Sequence, residues 1–146
     1  MVNQKLIFHL VVFERNYGGF LEQPNQDALF DFVSGWCQDT GIRVLTAGCN
    51  SNHLHLLFEQ VSDLPLQQLI RLIVRKIEEW ANDHGHASIE LDFGLFTVSY
   101  SAIDKISRFI DSQQEHHELV SFEEEFVSLL DKHHVEDWLV PSQKRA

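Results

Sequence analysis

The run Lys5-Leu6-Ile7-Phe8-His9-Leu10-Val11-Val12-Phe13 constrains this chain most. It is apolar, rich in β-branched and aromatic residues, and closes at the turn-like Asn16-Tyr17-Gly18-Gly19, so it reads as the central strand of a sheet. The following segments read as its partners. Pro24 opens a helix in which Leu29, Phe32, Val33, Trp36 and Cys37 form one apolar stripe, ended by Thr40-Gly41. Residues 42–47 alternate as a strand with Ile42, Val44 and Thr46 on one side; the turn Asn50-Ser51-Asn52 then leads to a strand over 53–58, making a hairpin. Pro65 starts a second helix, where Leu66, Leu69, Ile70, Ile73, Val74, Ile77, Trp80 and Ala81 give the cleanest amphipathic pattern of the chain. A fourth strand over about 93–99 precedes a helix with Ser101 as its cap and Asp104 near its positive end. Ser121-Phe122-Glu123-Glu124 fits a capping box and starts a last helix with Phe122, Phe126, Leu129 and Leu130 inward.

The order β-α-β-β-α-β followed by helices is that of the split βαβ, ferredoxin-like fold of the α+β class: a four-stranded antiparallel sheet with two helices on one face, plus C-terminal helices. With 146 residues, 44% of them hydrophobic, the chain supports one core, expected as a single domain over 1–140 with a loose tail at 141–146. No apolar run approaches the roughly 20 residues of a membrane span, and the N-terminus lacks a signal pattern, so a soluble, cytoplasmic protein is expected. Cys37 and Cys49 make no zinc spacing and are expected to be reduced, buried thiols.

Charge limits the partners. The chain has 11 Lys+Arg against 22 Asp+Glu, a net charge of −11, whereas nucleic-acid binding needs cations that displace counterions. Any DNA contact must therefore be local. Glu115, Glu118, Glu123, Glu124, Glu125, Asp131, Glu136 and Asp137 make the C-terminal third a poor DNA surface. Arg71, Arg75 and Lys76, and again Lys105 and Arg108, fall at helical spacings that place each set on one side, as a small basic strip or as ordinary solvated helix faces.

The sharpest chemical feature is Asn52-His53-Leu54-His55-Leu56-Leu57-Phe58. Residues two apart on a strand share a face, so His53 and His55 present two imidazoles side by side, enough to contribute to one divalent-ion site. On spacing alone, a metal site and two unliganded strand histidines both remain open.

Several segments occur together in a telling order: Phe8-His9-Leu10-Val11-Val12-Phe13, then His53-Leu54-His55, then Phe96-Thr97-Val98-Ser99. Phe109-Ile110-Asp111-Ser112-Gln113-Gln114-Glu115-His116-His117 and Ser121-Phe122-Glu123-Glu124-Glu125-Phe126 complete the set. In that order, from about residue 5 to 134, they resemble the single-strand DNA transposases of the HUH class with one tyrosine, including the REP-associated tyrosine transposases.

The resemblance implies metal-dependent cleavage and rejoining of single-stranded DNA, that is, DNA transposition and recombination. It implies that His53, His55 and Gln113 bind Mg2+ or Mn2+, and that a tyrosine one helical turn before the glutamine attacks the scissile phosphate. Here that position holds Phe109, whose ring has no oxygen, so impaired activity is expected. Phe109 itself is expected to pack in the core. Tyr17 and Tyr100 are the tyrosines present, and neither matches the motif. Relatives often carry several basic residues after the first strand for holding DNA hairpins, where this chain has Arg15 alone within Glu14-Arg15-Asn16-Tyr17-Gly18-Gly19. The DNA-binding candidates are thus Arg15, Arg71, Arg75, Lys76, Lys105 and Arg108, the expected partner is single-stranded or hairpin DNA, and a homodimer is the expected assembly. His116 and His117 match the family and also suit a helix dipole, while His84, His86, His133 and His134 are expected at the surface. Two alternatives stand beside this reading: a non-catalytic domesticated derivative that binds structured nucleic acid or a protein, and a metal-dependent phosphodiesterase using water.

Overall fold

The computed structural model describes residues 4–21, 23–117 and 119–135. The expected tail at 141–146, like Glu118, Glu136 and Asp137, lies outside them. The chain runs β1 Ile7–Glu14, α1 Gln23–Thr40, β2 Ile42–Asn50, β3 His53–Gln60, α2 Leu66–Asp83 and β4 Leu91–Thr97. A 3-10 turn Tyr100–Ala102 follows, then α3 Ile103–Asp111, α4 Gln113–His116 and α5 Phe122–Lys132. The sheet order is β2-β3-β1-β4 with every pairing antiparallel, the split βαβ arrangement read from the sequence. β1 is central, and every residue of it before Glu14 is buried.

Strand alternation divides the core in two. Phe8, Leu10 and Val12 of β1 join Leu54, Leu56 and Phe58 of β3 on a first face, covered by Leu29, Val33 and Cys37 of α1 and by Leu69, Ile70, Ile73 and Ile77 of α2. Each such side chain removed from water stabilises the fold by about 1.5–3 kcal/mol. The second face carries two smaller clusters, one around Val11, Phe13, Phe96, Phe122 and Phe126, the other around Ile7, Leu57 and Ile110. Between them lie the histidines of β1 and β3. No helix among the described residues is long and apolar enough to cross a membrane. Cys37 and Cys49 are free and buried, and burial pushes both thiols up to about 12; Cys49 lies inside β2, which runs three residues further than its alternation indicates.

Four local expectations need correction. β2 bulges at Leu45, since Val44 pairs with Phe58 and Thr46 with Leu57. The extra residue turns Thr46 to the second face, where its hydroxyl donates to Asp111 at 2.9 Å, rather than leaving it beside Ile42 and Val44. Phe32 is 37% exposed, because the buried stripe of α1 follows Leu29, Val33 and Cys37 and leaves Phe32 beyond its edge. Ser101 does not cap a helix: it lies in the 3-10 turn, its hydroxyl pairs with that of Ser99 at 3.1 Å, and α3 starts after Ala102 without a side-chain cap. β4 begins at Leu91, two residues early. By contrast Ser121 caps α5 as expected, its hydroxyl accepting from the Glu124 amide at 3.2 Å.

Gly48 lets α3 lie directly on β2, since a Cβ there would stand 2.4 Å from the Ile110 carbonyl oxygen. Gly48→Ala should lower stability by about 1–3 kcal/mol through overpacking, seen as a lower urea midpoint; an unchanged midpoint would contradict this packing.

Candidate functional site

β3 alternation aims His53 and His55 at the second face, where both are 0% exposed and their ring centroids are 5.0 Å apart. Antiparallel pairing sets His9 of β1 beside them: its Nε2 lies 2.7 Å from His55 Nδ1 and the two rings stack. Phe122 of α5 stacks on His53 with centroids 4.1 Å apart. From α4, Gln113 places its Oε1 2.8 Å from His53 Nε2 and 2.9 Å from His117 Nε2, while its Nε2 donates to Glu125 at 2.9 Å. Glu125 of α5 accepts from His55 Nε2 at 3.1 Å and lies 3.3 Å from the Nε2 of both His116 and His117.

The proton count of this cluster is short. His53 Nδ1–H donates to the Asn52 side-chain oxygen at 2.8 Å, and His117 Nδ1–H donates to the Val120 carbonyl at 2.7 Å. In their neutral forms both histidines therefore turn an Nε2 lone pair towards Gln113 Oε1, an oxygen that also only accepts. Beside it the Glu125 carboxylate adds more lone pairs. Acceptors converging in this way are what a cation resolves, either a proton on His117 or a metal ion. A nitrogen of His53, a nitrogen of His117 and an oxygen of Glu125 lie within 4.8 Å of one another, a spacing that a divalent ion closes with a small inward shift. The residues fit a metal.

Electrostatics agree. Burial alone would favour a neutral Glu125, but hydrogen bonds from His117, His55 and Gln113 outweigh it and hold the carboxyl well below its usual range. Burial also opposes a charge on His117, yet its bond to Glu125 and the carboxylate charge raise its pKa. His53 and His9 are lowered to about 3, by burial first and then by the neighbouring His55.

His53 and Gln113 thus meet as the sequence suggested. His55 stands beside them with one nitrogen on His9 and the other on Glu125. Glu125 was hidden within the acidic run, although position 125 lies three after Phe122 and four before Leu129, on the inward stripe of α5. His9 was equally legible, since alternation with Val11 and Phe13 puts it on the histidine face. His116 and His117 face Glu125 rather than serving a helix dipole alone.

Phe109 packs partly buried against the Ile7 and Leu57 cluster, with ring centroids 5.5 Å from His55, 5.4 Å from His116 and 6.3 Å from His9. α3 ends at Asp111 and α4 begins at Gln113, so Phe109 and Gln113 do not share one unbroken helix as expected. Tyr17 stacks on Phe13, and Tyr100 is 73% exposed in the 3-10 turn.

The basic residues divide by face. Arg15 is bound to Glu90 at 2.6 Å and to Asp92 at 3.2 Å, and Lys76 pairs with Glu79. Arg71, Arg75 and Lys76 lie on α2 over the first face, whereas Lys105 and Arg108 are exposed on α3 over the second. The sheet separates the two groups, and Lys105 and Arg108 share the side of the histidines. His84 and His133 are exposed, yet stack on Trp80 and Phe96.

The sequence model of the IS200-like transposases matches residues 2–113. No curated protein matches significantly. Among solved structures, a candidate transposase of Deinococcus radiodurans R1 superposes with a TM-score of 0.60 at 16% identity, covering 77% of this chain and 93% of its own. A REP-associated tyrosine transposase bound to a REP hairpin superposes with a TM-score of 0.62 at 14% identity, covering 79% of this chain and 70% of its own. These likenesses show the shared fold. His117 and Glu125 lie beyond the matched residues.

The buried histidines set an acid limit. Unfolded, His9 takes its proton near 6.5; folded, only near 3, so between these values the unfolded chain binds more protons and stability falls as pH falls. Protein without metal should lose at least about 1 kcal/mol between pH 7 and pH 5, and His9→Asn should flatten that slope. A pH-independent urea midpoint across this window would contradict a neutral, buried His9.

Proposed function

The chain belongs to the IS200-like transposase family, and from that premise we propose that it binds hairpin-forming single-stranded DNA around a Mg2+ or Mn2+ site, with its strand-transfer step impaired. The convergence of acceptor atoms from His53, Gln113, His117 and Glu125 carries this reading. A divalent ion bound there supplies Lewis-acid polarisation of a phosphate oxygen. His53, His117 and Glu125 would hold it, with Gln113 between the two imidazoles. Asn52 and the Val120 carbonyl fix the tautomers of His53 and His117, so that both turn Nε2 inward. His55 orients Glu125 from the strand side, and His9 in turn orients His55. The hairpin-bound neighbour supports structured single strands as the substrate class.

Phe109 occupies the place of the family tyrosine in this reading. Its ring edge faces His55, but carbon offers no lone pair to attack phosphorus. Binding without covalent attachment is the consequence.

Incubation with Mn2+ and labelled hairpin-bearing single strands tests this. The native chain should bind and form no denaturant-stable adduct, whereas Phe109→Tyr should form one. An adduct with the native chain, or none with the variant on any hairpin strand, would overturn the assignment of position 109. Cleavage without an adduct would instead mark a phosphodiesterase that uses water.

Metal binding has its own test. Calorimetric Mn2+ affinity should fall at least about tenfold in Glu125→Gln and should weaken on acidification, because His117 must release its proton to bind. Equal affinities for native protein and Glu125→Gln would remove the carboxylate from the site.

A further inference from the structure

A cleft of about 320 Å3 opens between α3 and α5, beside the histidine cluster and separate from the acceptors described above. Val98, Ile106, Phe109 and Leu129 make its walls apolar, and Lys105 of α3 and Lys132 of α5 stand on it from opposite sides. His9 lines it too, so one hydrogen bond of 2.7 Å connects the cleft to His55.

Three observations define what such a cleft takes. First, its cations are available. In a chain of net charge −11, Lys5, Arg15, Arg43 and Lys76 are each paired with a carboxylate. Lys105 and Lys132 are exposed and have no carboxylate within ion-pair distance among the described residues. Second, the walls offer aromatic surface: Phe109 and His133 both line the space. Third, its volume is at the small end of ligand clefts, roughly 300–1,000 Å3, room for one nucleotide and not for a duplex. An apolar, ring-lined slot between two exposed ammonium groups matches a flat base with a phosphate on each side.

We propose that this cleft holds one unpaired nucleotide of a single-stranded DNA segment, its base against Phe109 and its flanking phosphates on Lys105 and Lys132. The assignment rests on the DNA-binding reading above and adds where the strand passes. Thr97 and Ser99, also on the cleft, are the polar groups in place to read the base edge.

The test uses the full chain and two probes, a blunt DNA hairpin and the same hairpin with a short single-stranded extension carrying 2-aminopurine at successive positions. The extension should raise affinity, and 2-aminopurine should be quenched at one position by stacking. In the double variant Lys105→Gln, Lys132→Gln, quenching should disappear and the gain from the extension should fall about tenfold. The slope of log affinity against log salt for the extended probe should drop by roughly 1.4, for two phosphate contacts on a single strand. Both lysines are exposed, so thermal unfolding of the variant provides the folding control. If the native protein binds the blunt hairpin but the extension adds nothing, or quenching persists in the variant, the nucleotide cleft is wrong and the DNA-binding reading stands. If neither probe binds, the DNA-binding reading fails with it.

Discussion

Glu125 is a carboxylate 3% exposed, and a charge removed from water is tolerated only when every lone pair has a partner. Its partners come from three elements: His55 from β3, Gln113 from α4 and His117 from the turn after it. α5 can therefore settle on the sheet in one register, with Phe122 on His53 and Phe126 against Phe13. Gly94 assists from below, because a Cβ there would stand 2.6 Å from the Phe126 ring. The polar cluster thus specifies how the second face is covered, while the apolar first face supplies most of the burial.

That division also explains why the two faces differ in what they do. The first face is closed by two long helices whose inward side chains pack as hydrocarbon. The second is closed by three shorter helices that leave imidazoles, an amide and a carboxylate facing each other where packing alone would favour hydrocarbon. A cluster with more acceptors than protons is costly unless something cationic completes it, and burial makes that cost larger. The same burial lowers His9 and His53 and keeps those two imidazoles neutral, the form in which nitrogen ligates.

Much of the fold was legible because its signals are local. Lys5 to Phe13 announced a central strand, the stripe from Leu66 to Ala81 announced α2, and Ser121 announced the start of α5. The misreadings were those that neighbouring chain segments decide. The bulge at Leu45 is invisible to alternation, since one inserted residue leaves the sequence looking like an unbroken strand. Ser101 has the chemistry of a cap, but the chain tightens into a 3-10 turn before α3 begins. The two basic groups looked alike in sequence, and only the sheet between them shows that, of the two, the pair Lys105 and Arg108 shares the histidine side.

The candidate site was half legible for the same reason. His53 and His55 share a face through the pleat of a strand, a relation two residues long that sequence by itself determines, and Gln113 entered through family likeness. Which groups meet those imidazoles is a question about elements far apart in the chain, and only tertiary packing decided it. Glu125 lies 70 residues from His55, and its charge marked it as surface until α5 was seen lying on the sheet. Periodicity states which face of an element is turned inward; what that face encounters depends on how the helices dock.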